Sequence, residues 1–108
     1  MRLRIPGFAK RAAENALSNR ENLPKSQRFG MSKLEAKAEG ITSGVSRAEQ
    51  LVSSKAVSLE DACSIGSFYT RFKNCKTTKC EGAIDLWGGR RFGQMAAAHC
   101  KKHRRQSP

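Results

Sequence analysis

The chain has 108 residues, with 21 Lys and Arg against 9 Asp and Glu for a formal charge of +12, and 38% of it is apolar. That length supports one domain that buries roughly two thirds of the surface its unfolded chain exposes, and it leaves little room for a deep catalytic cleft. No run approaches the ~18 apolar residues of a membrane-spanning helix, and Met1 to Pro6 lacks the apolar stretch of a secretory signal, so a soluble, intracellular protein with no membrane partner is expected.

In chain order, Phe8, Ala9, Ala12, Ala13, Ala16 and Leu17 recur at helical spacing and leave Lys10, Arg11, Glu14 and Asn15 on the other side. The stripe is mostly Ala, so this helix contributes little burial alone and needs a surface to pack against. Asn22 to Gly30 combines Pro, Gly and polar residues without a period and reads as a linker. Ser32 followed by Glu35 forms a capping box for a short helix stopped at Gly40. A second such pair, Ser46 and Glu49, either opens or lies within a helix carrying Val45, Ala48, Leu51 and Val52.

Ser58 precedes Glu60 and Asp61, two acids placed where a helix dipole favours them. Leu59, Ala62, Ile65, Phe68, Tyr69 and Phe72 then make the strongest apolar stripe in the chain and mark the expected core. Asn74 to Lys79 reads as a loop. Ala83, Ile84, Leu86 and Trp87 read as a short helix ended by Gly88 and Gly89, whose freedom lets the chain reverse and a last helix, from Arg90, pack back with Phe92, Met95, Ala96 and His99. No stretch alternates apolar and polar residues over five positions between turn residues, so strands are not expected. The reading is an all-α bundle of about four to six short helices with basic termini. Its expected parts are a basic arm over 1–31, a helical core over 32–100 and a basic tail over 101–108.

Charge is unevenly spread. Residues 1–31 hold 7 basic and 2 acidic side chains, 32–72 hold 5 and 5, and 73–108 hold 9 and 2. Two basic ends around a neutral middle point to a polyanionic partner, either nucleic acid or an acidic protein surface. The side chains expected to meet it are Arg2, Arg4, Lys10 and Arg11 at one end, and Arg90, Arg91, Lys101, Lys102, Arg104 and Arg105 at the other. Contacts of this kind go to phosphates and carry no sequence information.

Cys75, Cys80, Cys100 and His103 offer four soft ligands in two pairs, the set tetrahedral zinc takes. The spacing is not a good match to a structural zinc knuckle, however, and the basic run beside Cys100 opposes a cation. A Cys75–Cys80 disulfide is an alternative, and four reduced thiols, with no zinc or other cofactor, are the expectation for an intracellular chain. Cys100 beside His99 and His103 is a poor nucleophile arrangement, since sequence neighbours rarely form such pairs. Trp87-Gly88-Gly89-Arg90-Arg91 offers a stacking surface for a base, but core packing of Trp87 with a chain reversal at the glycines is the stronger reading. With no assembled catalytic group, an enzyme is not expected.

Gly44-Val45-Ser46-Arg47-Ala48 with Leu51, then Ser58-Leu59-Glu60, Phe68 and Arg71, and finally Ala83-Ile84-Asp85-Leu86-Trp87-Gly88-Gly89 form a recognisable pattern. It resembles small uncharacterised proteins of tailed bacteriophages and prophages, which carry a Gly-Val-x-Arg-Ala segment and close on Leu-Trp-Gly-Gly. The likeness runs over roughly residues 6–95; paired cysteines at 75 and 80 depart from it. It implies a helical domain in a phage genome context and phage structural proteins as partners, and it brings no activity with it. The resulting expectation is a non-enzymatic virion or head-assembly component, in the virion or host cytoplasm. The alternatives are a phage regulator docking on a host protein complex through its Ala-rich helix, and a zinc-stapled nucleic-acid-binding module.

Overall fold

The computed structural model describes residues 1–29 and 43–104. In order these form β1 (Leu3–Arg4), α1 (Gly7–Glu21), a 3-10 turn (Lys25–Gln27), α2 (Gly44–Ser53), β2 (Ala56–Val57), α3 (Leu59–Phe72), α4 (Thr78–Leu86) and α5 (Gly89–Arg104). The expected all-α bundle is what the chain forms. The helix expected between Ser32 and Gly40 lies outside the described residues.

Three helices start on a hydroxyl that satisfies an otherwise unpaired amide. Ser43 accepts from the Ser46 N–H at 2.8 Å, Ser58 from Asp61 at 3.1 Å and Thr77 from Cys80 at 3.2 Å. Ser46 therefore lies within α2 rather than opening it. α4 begins inside the stretch expected to be loop, because Thr77 caps it and the apolar spacing of Ala83 and Leu86 is not needed to start a helix, only to bury it. Gly88 and Gly89 hold φ of 101° and 88°, conformations glycine adopts without the Cβ clash, and they turn α4 back into α5 as the sequence implies.

The main axis of packing is the antiparallel pair α3 and α5, which approach through small residues. A Cβ placed on Gly66 would stand 2.6 Å from the Ala97 Cα, and one on Gly93 would stand 2.5 Å from the Tyr69 Cβ. Cys63 and Cys100 close the same seam as a disulfide, with Cα atoms 4.9 Å apart. Ala62, Ile65, Phe92 and Ala96 fill the core beside it. The apolar stripe of α3 is thus narrower than the sequence suggests: Phe72 is exposed, and Phe68 stacks face to face on Trp87 at 4.3 Å.

Of the arm expected over 1–31, the described part, residues 1–29, is corrected to part of the core. Ile5, Ala9, Ala13 and Ala16 are buried in one cluster with Leu51, Ile65, Leu86 and Phe92, and the Arg20 guanidinium donates from Nε to the Phe29 carbonyl at 2.8 Å. Alanines let α1 lie close against α2 and α4, which is why so small a stripe suffices. β1 pairs antiparallel with β2 in the register Leu3↔Val57 and Arg4↔Ala56, a strand pair that was not expected. Its signal is present in Met1-Arg2-Leu3-Arg4-Ile5, which alternates strictly and ends at Pro6. Arg2 and Arg4 face outward and Ile5 inward accordingly.

Arg47, from the Gly-Val-Ser-Arg-Ala segment, fastens α2 to α3. It pairs with Asp61 at 3.1 Å, donates to Gln50 Oε1 at 2.7 Å and lies 4.8 Å from the centre of the Trp87 ring, with its side chain 4% exposed. Gln50 in turn donates to Asp61 at 2.8 Å. Burial alone would push the Asp61 carboxyl up, but hydrogen bonds from Gln50 and Arg47 and the charge of Arg47 hold it below its usual range.

Candidate nucleic-acid interface

The structure divides the ten expected anion-binding side chains into those committed within the fold and those left for a partner. Lys10 is committed: its ammonium donates to the carbonyls of Leu51, Val52 and Ser54, capping the C-terminal end of α2. Arg90 is committed as well, to the Glu81 carboxylate and to the carbonyls of Lys73 and Cys75. The paired Arg90 guanidinium holds Glu81 below the usual carboxylate range, against a small opposing effect of burial.

Arg2, Arg4, Arg11, Arg91, Lys101, Lys102 and Arg104 are exposed. Among the described residues the ion pairs are Arg47–Asp61 and Arg90–Glu81, and none of these seven takes part. Arg91 rests its guanidinium 4.5 Å from the centre of the Phe8 ring, one turn of α1 from Arg11. Arg105 lies outside the described residues.

The two basic ends of the sequence meet in space. His99 Nε2 lies 2.8 Å from the Met1 carbonyl, and the His99 and His103 rings sit one turn apart with centroids 4.3 Å apart. This contact joins the N-terminal residue, next to Arg2, to the penultimate turn of α5, whose last turn carries Lys101, Lys102 and Arg104. Of the tail expected over 101–108, the described residues Lys101 to Arg104 are corrected in the same way: they are the closing turn of α5, held by the helix rather than free. Burial, with His99 and Lys102 nearby, pushes His103 below its usual value, so at neutral pH the charge of this cluster rests on its arginines and lysines. Cations at a helix C-terminus also complement the dipole, at about 0.3–1 kcal/mol each. That accounts for part of the run on α5 but for neither Arg2 nor Arg4.

The cysteines are joined in two pairs, Cys63 with Cys100 and Cys75 with Cys80, and the expectation of four reduced thiols is corrected. The proposed zinc quartet is divided by this pairing, since Cys75 and Cys80 bond to each other while Cys100 turns to α3 and leaves His103 beside Met1. Among the described residues no group of three or more His, Cys, Asp and Glu is arranged to hold a metal ion. Cys100 carries no thiol for nucleophilic attack.

A cavity of about 440 Å³ opens between the end of α1, Phe29 and α4, lined among others by Asn19, Asn22, Glu81 and Asp85. Asp85 is raised above the usual carboxylate value, first by burial and then by the Glu81 charge, with Arg90 opposing. A carboxyl raised in the folded state costs stability when ionised, and the cost disappears as pH falls through its folded pKa. Asp85→Asn is therefore expected to raise Tm at pH 7 by a few degrees, an advantage over the parent that narrows steadily as pH is lowered toward 4; calorimetry across that range checks it.

No helix among the described residues is long and apolar enough to cross a membrane. Compared with protein-family models, with curated proteins and with solved structures, the chain matches none.

Proposed function

We propose that this chain is a non-enzymatic binding protein that grips a polyanion through sequence-independent phosphate contacts, most concretely as a virion or head-assembly component of a tailed phage in contact with packaged DNA. The observation that carries the reading is the contact of Met1 with His99, which joins the two basic ends of the chain, together with Arg2, Arg4, Lys101, Lys102 and Arg104, all exposed and without carboxylate partners among the described residues. A cluster drawn from both ends of the sequence has no structural duty that requires all five charges, whereas adjacent phosphates supply the matching field. The phage setting rests on the sequence resemblance. Of the virion and the host cytoplasm, the virion is the better location for a chain with two disulfides, because a released particle leaves the reducing cytosol behind.

The regulator alternative loses its docking element, since the Ala face of α1 is buried in the chain's own core. An acidic protein surface remains the competing partner; salt screens either contact, so direct titration with duplex DNA separates the two.

Replacing Arg2, Arg4, Lys101, Lys102 and Arg104 together with Gln is expected to weaken binding to duplex DNA and to flatten the dependence of log Kd on log salt by about 0.9 for each side chain that touches a phosphate. Lys10→Gln and Arg90→Gln serve as controls, because their charges are spent inside the fold. Both should leave the slope unchanged. An unaltered slope in the fivefold variant removes the proposal, and mass spectrometry of purified particles tests the virion assignment separately.

A further inference from the structure

Building on the polyanion-binding reading above, we infer that the outward face of α5 is the surface that meets duplex DNA, seated in the major groove with its two cationic ends on the flanking phosphate strands. Arg91, which lies outside the terminal cluster, is then a phosphate ligand.

Charge sets α5 apart from the other helices. The exposed positions of α1, α2 and α3 include Glu14, Glu49 and Glu60, and α4 carries Glu81 and Asp85. α5 has no acidic residue in its 16. Its exposed side chains Arg91, Gln94, Ala98, Lys101 and Lys102 are spaced by three, four, three and one positions. That spacing places them on one side of the helix, opposite the buried Phe92, Gly93 and Ala96.

Shape selects the groove. Arg91 and Lys102 stand eleven positions apart, about 16 Å along the helix axis. The major groove of B-DNA is about 12 Å wide and admits an α-helix, whereas the minor groove, at about 6 Å, does not. Cations at the two ends of this face therefore overreach the width of the major groove and meet the phosphates on both sides. Stacking on the Phe8 ring at 4.5 Å orders the Arg91 guanidinium and leaves its N–H edge for a phosphate oxygen.

Between its charged ends the face is thin. Ala98 presents a methyl group, and Gln94 donates from Nε2 to the Tyr69 hydroxyl at 3.0 Å, which ties it back to α3. A slim middle lets the helix approach the groove floor, and a methyl group with a tied amide leaves the contact tolerant of sequence.

The test uses the whole chain with duplexes of one length in DNA and in RNA. A-form RNA carries the same phosphates but has a deep, narrow major groove that side chains cannot read. The parent should bind the DNA duplex at least about tenfold more tightly, and Ala98→Trp, which fills the middle of the face at unchanged net charge, should remove most of that preference. Arg91→Gln should reduce the slope of log Kd on log salt by about 0.9, where its neighbour Arg90→Gln leaves it unchanged. On DNA saturated with the parent, dimethyl sulfate should be kept from guanine N7, in the major groove, and still reach adenine N3, in the minor. The RNA comparison and the footprint need no variant, so they decide the matter even where Ala98→Trp alters the fold by circular dichroism. Equal affinity for the two duplexes, a folded Ala98→Trp that binds DNA like the parent, an unaltered slope in Arg91→Gln, or protection of adenine N3 in place of guanine N7 overturns the inference. The phosphate-contact reading survives each of these results while the fivefold Gln variant flattens the salt slope, and an unaltered slope in that variant removes both.

Discussion

Asp61→Ala is expected to lower the stability of the fold by about 3 kcal/mol, and Arg47→Met by about half as much, although the two residues form one ion pair. The asymmetry follows from burial. The Arg47 side chain is 4% exposed and that of Asp61 is 35% exposed, so removing the carboxylate strands a guanidinium that water does not reach. The Arg47 Nε is already without a hydrogen-bond partner, and losing Asp61 leaves Gln50 and a weak contact with Ser64 to satisfy the rest. Removing Arg47 leaves Asp61 free to take up water and keeps the apolar stem against Trp87 in the form of Met.

Chemical denaturation of both variants checks the ratio, and about 3 kcal/mol corresponds to a fall in Tm on the order of 12 °C for a domain of this size. Acid tests the same pair without mutation. The folded pKa of Asp61 is depressed, so its contribution is complete above the unfolded value near 3.8 and is lost as pH falls through the folded value. The parent should therefore lose stability more steeply below pH 4 than Asp61→Ala, in which the contribution of Glu81 remains to be lost. Equal costs for the two substitutions would show that Arg47 contributes packing rather than a paired charge.

Gly66→Ala is expected to destabilise by about 2 kcal/mol, against the gain of about 1 kcal/mol that alanine brings to an exposed helix interior. The new methyl would meet the backbone of Ala97 at 2.6 Å, and backbone cannot rotate aside. Either α5 moves outward, straining the Cys63–Cys100 bridge and opening the core around Ile65 and Phe92, or the methyl is refused. Gly82→Ala provides the comparison. Its methyl would meet the Phe29 ring at 2.5 Å, and a side chain can swing where a helix cannot, so a smaller cost is expected. Thermal unfolding of both variants decides it, and a stabilised Gly66→Ala would mean that α3 and α5 do not pack in this seam.

Local signals in the sequence located most of the helices. Ser58 with its two following acids, the Gly88-Gly89 reversal and the apolar spacing of α1 and α5 each act within one or two turns of chain, so each was legible there. The close approach of α3 and α5 was not, because Cys63-x2-Gly66 and Ala97-x2-Cys100 mean little until the two helices are set antiparallel, when the small residues and the cysteines fall opposite one another. The strand at Leu3–Arg4 was visible as alternation but too short to stand without β2, which lies more than fifty residues away.

By itself the sequence determined an all-α chain with a large positive excess, because helix periodicity and net charge are properties of neighbouring residues and of composition. Only the tertiary structure decided which cations are spent and which are available. Lys10 and Arg90 look like Arg2 and Lys102 in a list of residues, and they differ because the end of α2 and the carboxylate of Glu81 come within reach of the first two and not of the others. The pairing of the cysteines was decided in the same way, by which sulfurs the packing of α3, α4 and α5 brings together.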